Sequence, residues 1–208
     1  MRGNEQVIQA RFADAAYFVE RDRSQPLVSY LPSLDRLTFH ARLGSMLDKS
    51  RRVQRLTDRL ATTLKLSAQE RHIALRAAKL CKADLATRMV IDMTSLQGVM
   101  GREYALASGE PPEVGQAIYE HYLPRQAGDA LPVSRPGIAL GLADRLDTLL
   151  SLFAMGLQPT GTSDPYGLRR AGLGLLQILI AGGWRFSLLQ GLAMAGQVLA
   201  ASQPHDEG

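Results

Sequence analysis

Apolar residues recur along this chain at the spacing of helices. Between residues 3 and 23, Ile8, Phe12, Ala15 and Val19 fall among charged neighbours, which predicts an amphipathic helix. Ser24-Gln25-Pro26 ends it, and Leu31-Pro32-Ser33 interrupts the chain again, because proline cannot continue a helix interior. Both read as turns rather than domain linkers. From 46 to 64, Leu56, Leu60 and Leu64 recur at every fourth position, while Arg52, Arg55 and Arg59 at i, i+3 and i+7 map to another face. One face is expected to pack and the other to be cationic. Ser67 followed by Glu70 has the capping-box pattern and opens a helix through Ile73, Leu75, Ala78 and Leu80.

Further on come 96–107 and then Pro111-Pro112, where Pro112 with Glu113 suits the first turn of a helix reaching Tyr122, which Pro124 ends. The stretch 125–136 is rich in Gly, Pro and Asp and reads as a loop leading into a helix over 137–155, with Gly156 as its C-cap. Asp164-Pro165 has the residue types of an N-cap and first helical position, opening a helix to Ala181 that Gly182-Gly183 stops. A last segment, 184–200, keeps helical spacing at Leu188, Leu192 and Ala195, and the polar tail 202–208 is expected to fray. No segment has strand period, and no repeat or low-complexity region intervenes. The expectation is an all-α array, with a main unit over 1–156 and a C-terminal helical extension over 157–208.

At 208 residues and 46% hydrophobic composition the chain buries a core without staples. Cys81 is the one cysteine, so no intramolecular disulfide forms, and no secretory leader pattern is seen; a reduced, cytoplasmic protein is expected. The longest apolar stretch, 171–183, contains Gln177 and falls short of the ~18–20 residues a bilayer span needs, so it reads as a buried helix and no membrane is implied. Charge changes the picture more. Residues 36–88 hold 13 Lys or Arg against 4 Asp or Glu, whereas the whole chain is only +4. Such regional basicity fits a polyanionic partner or an arginine-rich solvated surface.

Motif chemistry is sparse. His40, His72 and His121 show no metal-ligand spacing and read as surface or packing residues. Cys81 neighbours Lys82, but its apolar helical setting reads as an inert buried thiol. Gly161-Thr162-Ser163-Asp164 lacks the strand, spacing and lysine of a phosphate loop.

Several blocks, in order and well spaced, carry a family resemblance over roughly 3–180. They are Gly3-Asn4-Glu5-Gln6-Val7 with Ala10-Arg11-Phe12-Ala13-Asp14-Ala15; Leu43-Gly44-Ser45 with Asp48-Lys49; Lys82-Ala83-Asp84-Leu85; and Leu96-Gln97-Gly98-Val99-Met100-Gly101-Arg102-Glu103-Tyr104-Ala105. Ile118-Tyr119-Glu120-His121-Tyr122-Leu123-Pro124-Arg125, Ala143-Asp144-Arg145-Leu146-Asp147-Thr148-Leu149 and Pro159-Thr160-Gly161-Thr162-Ser163-Asp164-Pro165-Tyr166-Gly167-Leu168-Arg169-Arg170 continue it. The sequence resembles the central region of the β subunit of bacterial two-subunit glycyl-tRNA synthetases, whose members carry further regions before and after this segment.

That resemblance implies an HD-domain-like helical array with additional C-terminal helices. In the HD superfamily, histidines and aspartates hold metal ions that activate water. Here Asp84 and Asp144 stand where the HD aspartates would be, and Ala83 replaces the paired histidine, which implies a degenerate, non-hydrolytic site with no metal; Lys82 and Arg145 are expected to compete for the carboxylates. Both aspartates are expected to pair with basic side chains or cap helices. The resemblance also implies no catalytic residue and no cofactor in this chain, with ATP and magnesium acting at the α subunit. Its implied partners are tRNA(Gly), the α subunit and a possible second β chain. Arg42, Lys49, Arg51, Arg52, Arg55, Arg59, Lys82 and Arg88 are the candidate tRNA contacts, expected to track the acceptor-stem side by phosphate neutralisation. An active HD-type phosphohydrolase, and a scaffold that binds subunits through the helices of 168–180 and 188–199, are the rival readings.

Overall fold

A computed structural model describes residues 2–126 and 128–202, with side chains from residue 8 onward. The block Gly3-Asn4-Glu5-Gln6-Val7 therefore enters only as backbone, and the expectation for the tail lies, beyond Ser202, outside the described residues. The helices are α1 (Arg2–Asp22), α2 (Met46–Thr63), α3 (Ala68–Leu80), α4 (Arg88–Asp92), α5 (Val99–Ala107), α6 (Pro112–Glu120), α7 (Arg135–Ala154), α8 (Leu168–Ala181) and α9 (Leu188–Ala200). Among the described residues the array is all-α apart from one short hairpin. No helix among the described residues is long and apolar enough to cross a membrane.

The centre of the array is α7, which packs against α2, α3, α6, α8 and α9. Its sequence explains this: Ile138, Ala139, Leu140, Leu142, Ala143 and Leu146 point in several directions and are all buried. A helix apolar on most sides must be surrounded. Around it, α2 contributes Val53, Leu56 and Leu60, and α3 contributes Ala74, Ala77, Ala78 and Leu80. Each leucine so buried contributes on the order of 1.5–3 kcal/mol. Leu175, Ile178 and Leu179 of α8, with Ala195 and Val198 of α9, join the same apolar cluster. The helices beyond residue 157 thus share the core of those before it.

Helix starts follow their capping residues. Ser67 and Glu70 form the capping box expected at α3, and Ser45 with Asp48 forms a second one at α2. Three expectations need correction. The turns expected after Ser24 form a 3-10 helix, Leu27–Arg36, which contains Pro32 and buries Leu27 and Leu34. Thr38–His40 and Gly44–Ser45 pair as a small antiparallel hairpin, too short to show alternation in the sequence. Third, α8 begins at Leu168, not at Pro165; Asp164 still caps it from upstream, accepting from the backbone N–H groups of Leu168 at 2.7 Å and Arg169 at 2.9 Å.

Candidate functional site: a buried charge chain under a cationic ridge

The inward face of α2 carries charge as well as leucine. Lys49, Arg52, Val53, Leu56 and Leu60 lie in one helical phase, so the two cations follow the leucines into the core. Lys49 is 4%, Arg52 2% and Lys82 3% exposed. These three candidate tRNA contacts are corrected on this ground: their charges are spent on carboxylates inside the protein and face no solvent phosphate.

Their partners are two aspartates one helical turn apart on α7. Arg52 donates from Nε to Asp147 Oδ1 at 2.8 Å and from Nη1 to the Leu43 carbonyl at 3.0 Å. Lys49 Nζ lies 2.9 Å from Asp147 Oδ2 and 3.2 Å from Asp144 Oδ1, and donates to Thr148 Oγ1 at 2.7 Å. Lys82, just beyond α3, donates to Asp144 Oδ2 at 3.0 Å and lies 3.0 Å from His121 Nε2. The result is an alternating chain, Arg52, Asp147, Lys49, Asp144, Lys82, ending on an imidazole. Buried charges persist in this way only when each has a partner of opposite sign.

Protonation states follow from the geometry. A lysine ammonium only donates, so His121 Nε2 accepts from Lys82 and Nδ1 carries the proton it gives to the Ile118 carbonyl. The ring is therefore neutral. Burial, reinforced by the Lys82 charge, holds the His121 pKa well below the ordinary histidine value. For Asp144 burial alone would raise the pKa, but Lys49 and Lys82 outweigh it and hold the carboxyl well below its usual range. Burial likewise opposes the Lys82 charge, and Asp144 overcomes it, leaving the ammonium with a raised pKa. Burial pushes the Cys81 thiol up to about 12, so it stays a thiol.

Asp84 does a different job. Its Oδ2 accepts from the backbone N–H of Gly98 at 2.6 Å and Gly101 at 3.1 Å, closing the N-terminus of α5. Gly98 has φ +79°, and a Cβ there would sit 2.3 Å from the Tyr122 ring, so no other residue fits without displacement. Burial raises the Asp84 pKa to about 6 against those two hydrogen bonds and the Lys82 charge. Of the two basic groups expected to compete for the HD-position carboxylates, only Lys82 does so directly. Arg145 instead donates to the carbonyls of Gly141, His121, Tyr122, Leu123 and Pro124, pinning the turn after α6.

A divalent metal does not fit these residues. Lys82 puts an ammonium between Asp144 and His121, Asp84 is turned to the α5 terminus, and no group of three or more His, Cys, Asp or Glu among the described residues is placed to hold an ion.

The remaining candidate contacts, Arg42, Arg51, Arg55, Arg59 and Arg88, are exposed. Arg51, Arg55 and Arg59 rise along the outer edge of α2 at four-residue intervals, about 6 Å apart. Arg51 pairs with Asp48 at 3.4 Å, while Arg55 and Arg59 lean on the neutral groups Ser202 Oγ at 3.3 Å and Gln197 Oε1 at 2.6 Å. Arg42 is exposed in the hairpin turn leading into α2. Arg88 stands apart, on a cavity of about 770 Å³ with Arg21, Tyr30, Ile91 and Asp92 between α1 and α4. Sequence reasoning missed His121 and Asp147. Asp147 had a signal, since Asp144/Asp147 and Lys49/Arg52 share the spacing i, i+3 with opposite signs.

A family model described as the glycyl-tRNA synthetase beta subunit matches residues 1–207. The chain belongs to the glycyl-tRNA synthetase beta subunit family. Similar curated relatives are each described as a glycine–tRNA ligase beta subunit. That of Desulforamulus reducens is 50% identical over 186 residues, 89% of this chain and 27% of the relative. That of Gloeothece citriformis is 46% identical over 202 residues, 97% of this chain and 28% of the relative. That of Trichodesmium erythraeum is 51% identical over 176 residues, 85% and 24% of the two chains. The chain thus spans about a quarter of the length of these relatives.

Proposed function

We propose that this chain is a tRNA-positioning part of a two-subunit glycine–tRNA ligase, with no catalytic residue of its own and with ATP and magnesium acting on the α subunit. The observation that carries this reading is the α2 ridge. Arg55 and Arg59 are exposed on a rigid helix and, among the described residues, rest on neutral side chains with no carboxylate paired to them. Arg51 and Arg42 extend the row. Rigid guanidinium groups at regular spacing suit the backbone and shape of an RNA stem, whose deep major groove hides the base edges. The metal-excluding lysine between Asp144 and His121 supports a non-hydrolytic role over an HD-type phosphohydrolase.

The test is tRNA binding and glycylation by α subunit assembled with this chain, wild type against Arg55→Glu/Arg59→Glu. Each lost phosphate contact removes about 0.7–0.9 from the slope of log affinity against log salt, so the double variant should lose one to two units. An unchanged slope and affinity at low salt would overturn the assignment.

A second reading, contact with the α subunit or another β chain, coexists with the first. It is supported by Leu173, Ile180 and Leu189, large apolar side chains exposed by 63%, 77% and 81% on α8 and α9. Light-scattering mass, with and without the α subunit, for wild type and Ile180→Lys/Leu189→Lys, tests it; an unchanged mass in every mixture would refute it.

A further inference from the structure

Two adjoining cavities, of about 650 and 450 Å³, share Pro124, Gln126, Gly167 and Arg170 and so form one groove between the turn after α6 and the start of α8. That size suits a small organic ligand. Four arginines line it, Arg125, Arg145, Arg169 and Arg170. The carboxylates beside them are engaged elsewhere. Asp144 is held by Lys49 and Lys82, Asp129 accepts from the backbone N–H groups of Arg125 and Gln126, and Asp164 caps α8. Asp144 is met by two lysines, whereas Asp129 and Asp164 keep their charge, so four arginines face two uncompensated carboxylates and the groove is net positive among the described residues.

Two of these groups are pre-set. Arg125 is fixed by the Ser95 and Gln97 carbonyls at 3.0 and 2.6 Å and lies over the Tyr122 ring at 5.3 Å, while Arg145 is fixed by the turn carbonyls. Carbonyls orient a guanidinium without cancelling its charge. Arg170 is exposed at the mouth. Tyr122 lines the groove with its ring, while its hydroxyl is buried and has no surface open to the groove. Tyr166, 42% exposed, offers an aromatic ring on the rim.

We propose that this groove binds a phosphorylated nucleoside unit, with the phosphate between Arg125 and Arg170 and the base against Tyr166. The proposal is independent of the α2 ridge. Fixed arginines suit phosphate oxygens, and an aromatic face stacks a base of any kind. Such a unit comes either as a free mononucleotide or as the end of an RNA strand.

Calorimetric titration of this chain with AMP, adenosine and a 5′-phosphorylated RNA trinucleotide tests it, with Arg170→Ala and Tyr166→Ala as variants. Arg170 and Tyr166 are surface-exposed, so circular dichroism should confirm that both variants fold. AMP should bind at least tenfold more tightly than adenosine, and Arg170→Ala should weaken AMP about tenfold, with a several-fold loss in Tyr166→Ala. A trinucleotide bound tenfold better than AMP, with the same sensitivity to Arg170→Ala, identifies a strand end; equal affinities identify the free nucleotide. Adenosine binding as well as AMP, indifference to Arg170→Ala, or no binding of either phosphate at millimolar concentration overturns the proposal.

Discussion

Replacing Lys82 with methionine keeps most of the side chain's volume and removes only the ammonium. Asp144 then retains Lys49 alone, and His121 Nε2 loses its donor. Breaking a buried pair from one side leaves an uncompensated charge and costs about 3–5 kcal/mol. For a domain of this size that lowers Tm by roughly 6–20 °C. The loss should itself depend on pH. In the wild type His121 is neutral because burial and Lys82 depress its pKa; stability from this group is present above the ordinary histidine pKa and is lost as pH falls. Without Lys82, His121 is free to take up a proton and supply Asp144 with a replacement cation. The deficit of Lys82→Met should therefore be largest at pH 8 and shrink toward pH 5.5. Urea unfolding followed by circular dichroism at pH 5.5, 7 and 8, for wild type, Lys82→Met and Lys82→Met/His121→Gln, measures this. A deficit under about 1 kcal/mol at pH 8 with unchanged m-value would refute the counter-ion reasoning. A deficit that does not shrink on acidification, or shrinks equally in the double variant, would refute the role given to His121.

Asp84 titrates in the opposite sense. Its folded pKa of about 6 exceeds the unfolded value of 3.8, so its contribution is greatest below pH 3.8 and is lost as pH rises through 6. Relative to Asp84→Asn, the wild type should lose up to about 3 kcal/mol between pH 4 and 6, read from paired urea curves. Cys81 should resist thiol reagents in the native protein at pH 8 and react at once in denaturant; native labelling at the unfolded rate would contradict its burial. Asp22 caps α4 from the end of α1, accepting from the Arg88 and Met89 N–H groups and the Tyr104 hydroxyl. Asp22→Ala should cost about 1–3 kcal/mol and raise hydrogen exchange over Arg88–Asp92, a pattern mass spectrometry resolves.

Much of the fold was legible because its signals are local. The capping box at Ser67 and Glu70, the proline at the start of α6 and the leucine spacing of α2 act within a turn or two of themselves. The charged interior was half legible. Lys49 and Arg52 occupy the same helical phase as Val53, Leu56 and Leu60, yet the usual habit of cations placed Arg52 with Arg55 and Arg59 outside. What overrode that habit is a carboxylate pair about 95 residues away on α7, matched in sign and spacing. His121 was not legible, because nothing near it in the sequence announces Lys82, 39 residues earlier. The 3-10 segment Leu27–Arg36 was hidden by Pro26 before it and Pro32 within it, which argue against an α-helix but fit a short tighter coil.

The alternating ions between α2 and α7 also constrain how this sequence drifts. A leucine in the core is exchangeable for another apolar residue with modest loss, one position at a time. A link in the ionic chain is not, since a single change at Asp144 strands Lys82 and one at Asp147 strands Arg52, and either leaves Lys49 with one carboxylate instead of two. Viable replacements are concerted, trading cation and anion together or removing both. Descent through these positions should proceed in paired steps, with long intervals in which Lys49, Arg52, Lys82, Asp144 and Asp147 hold one another in place.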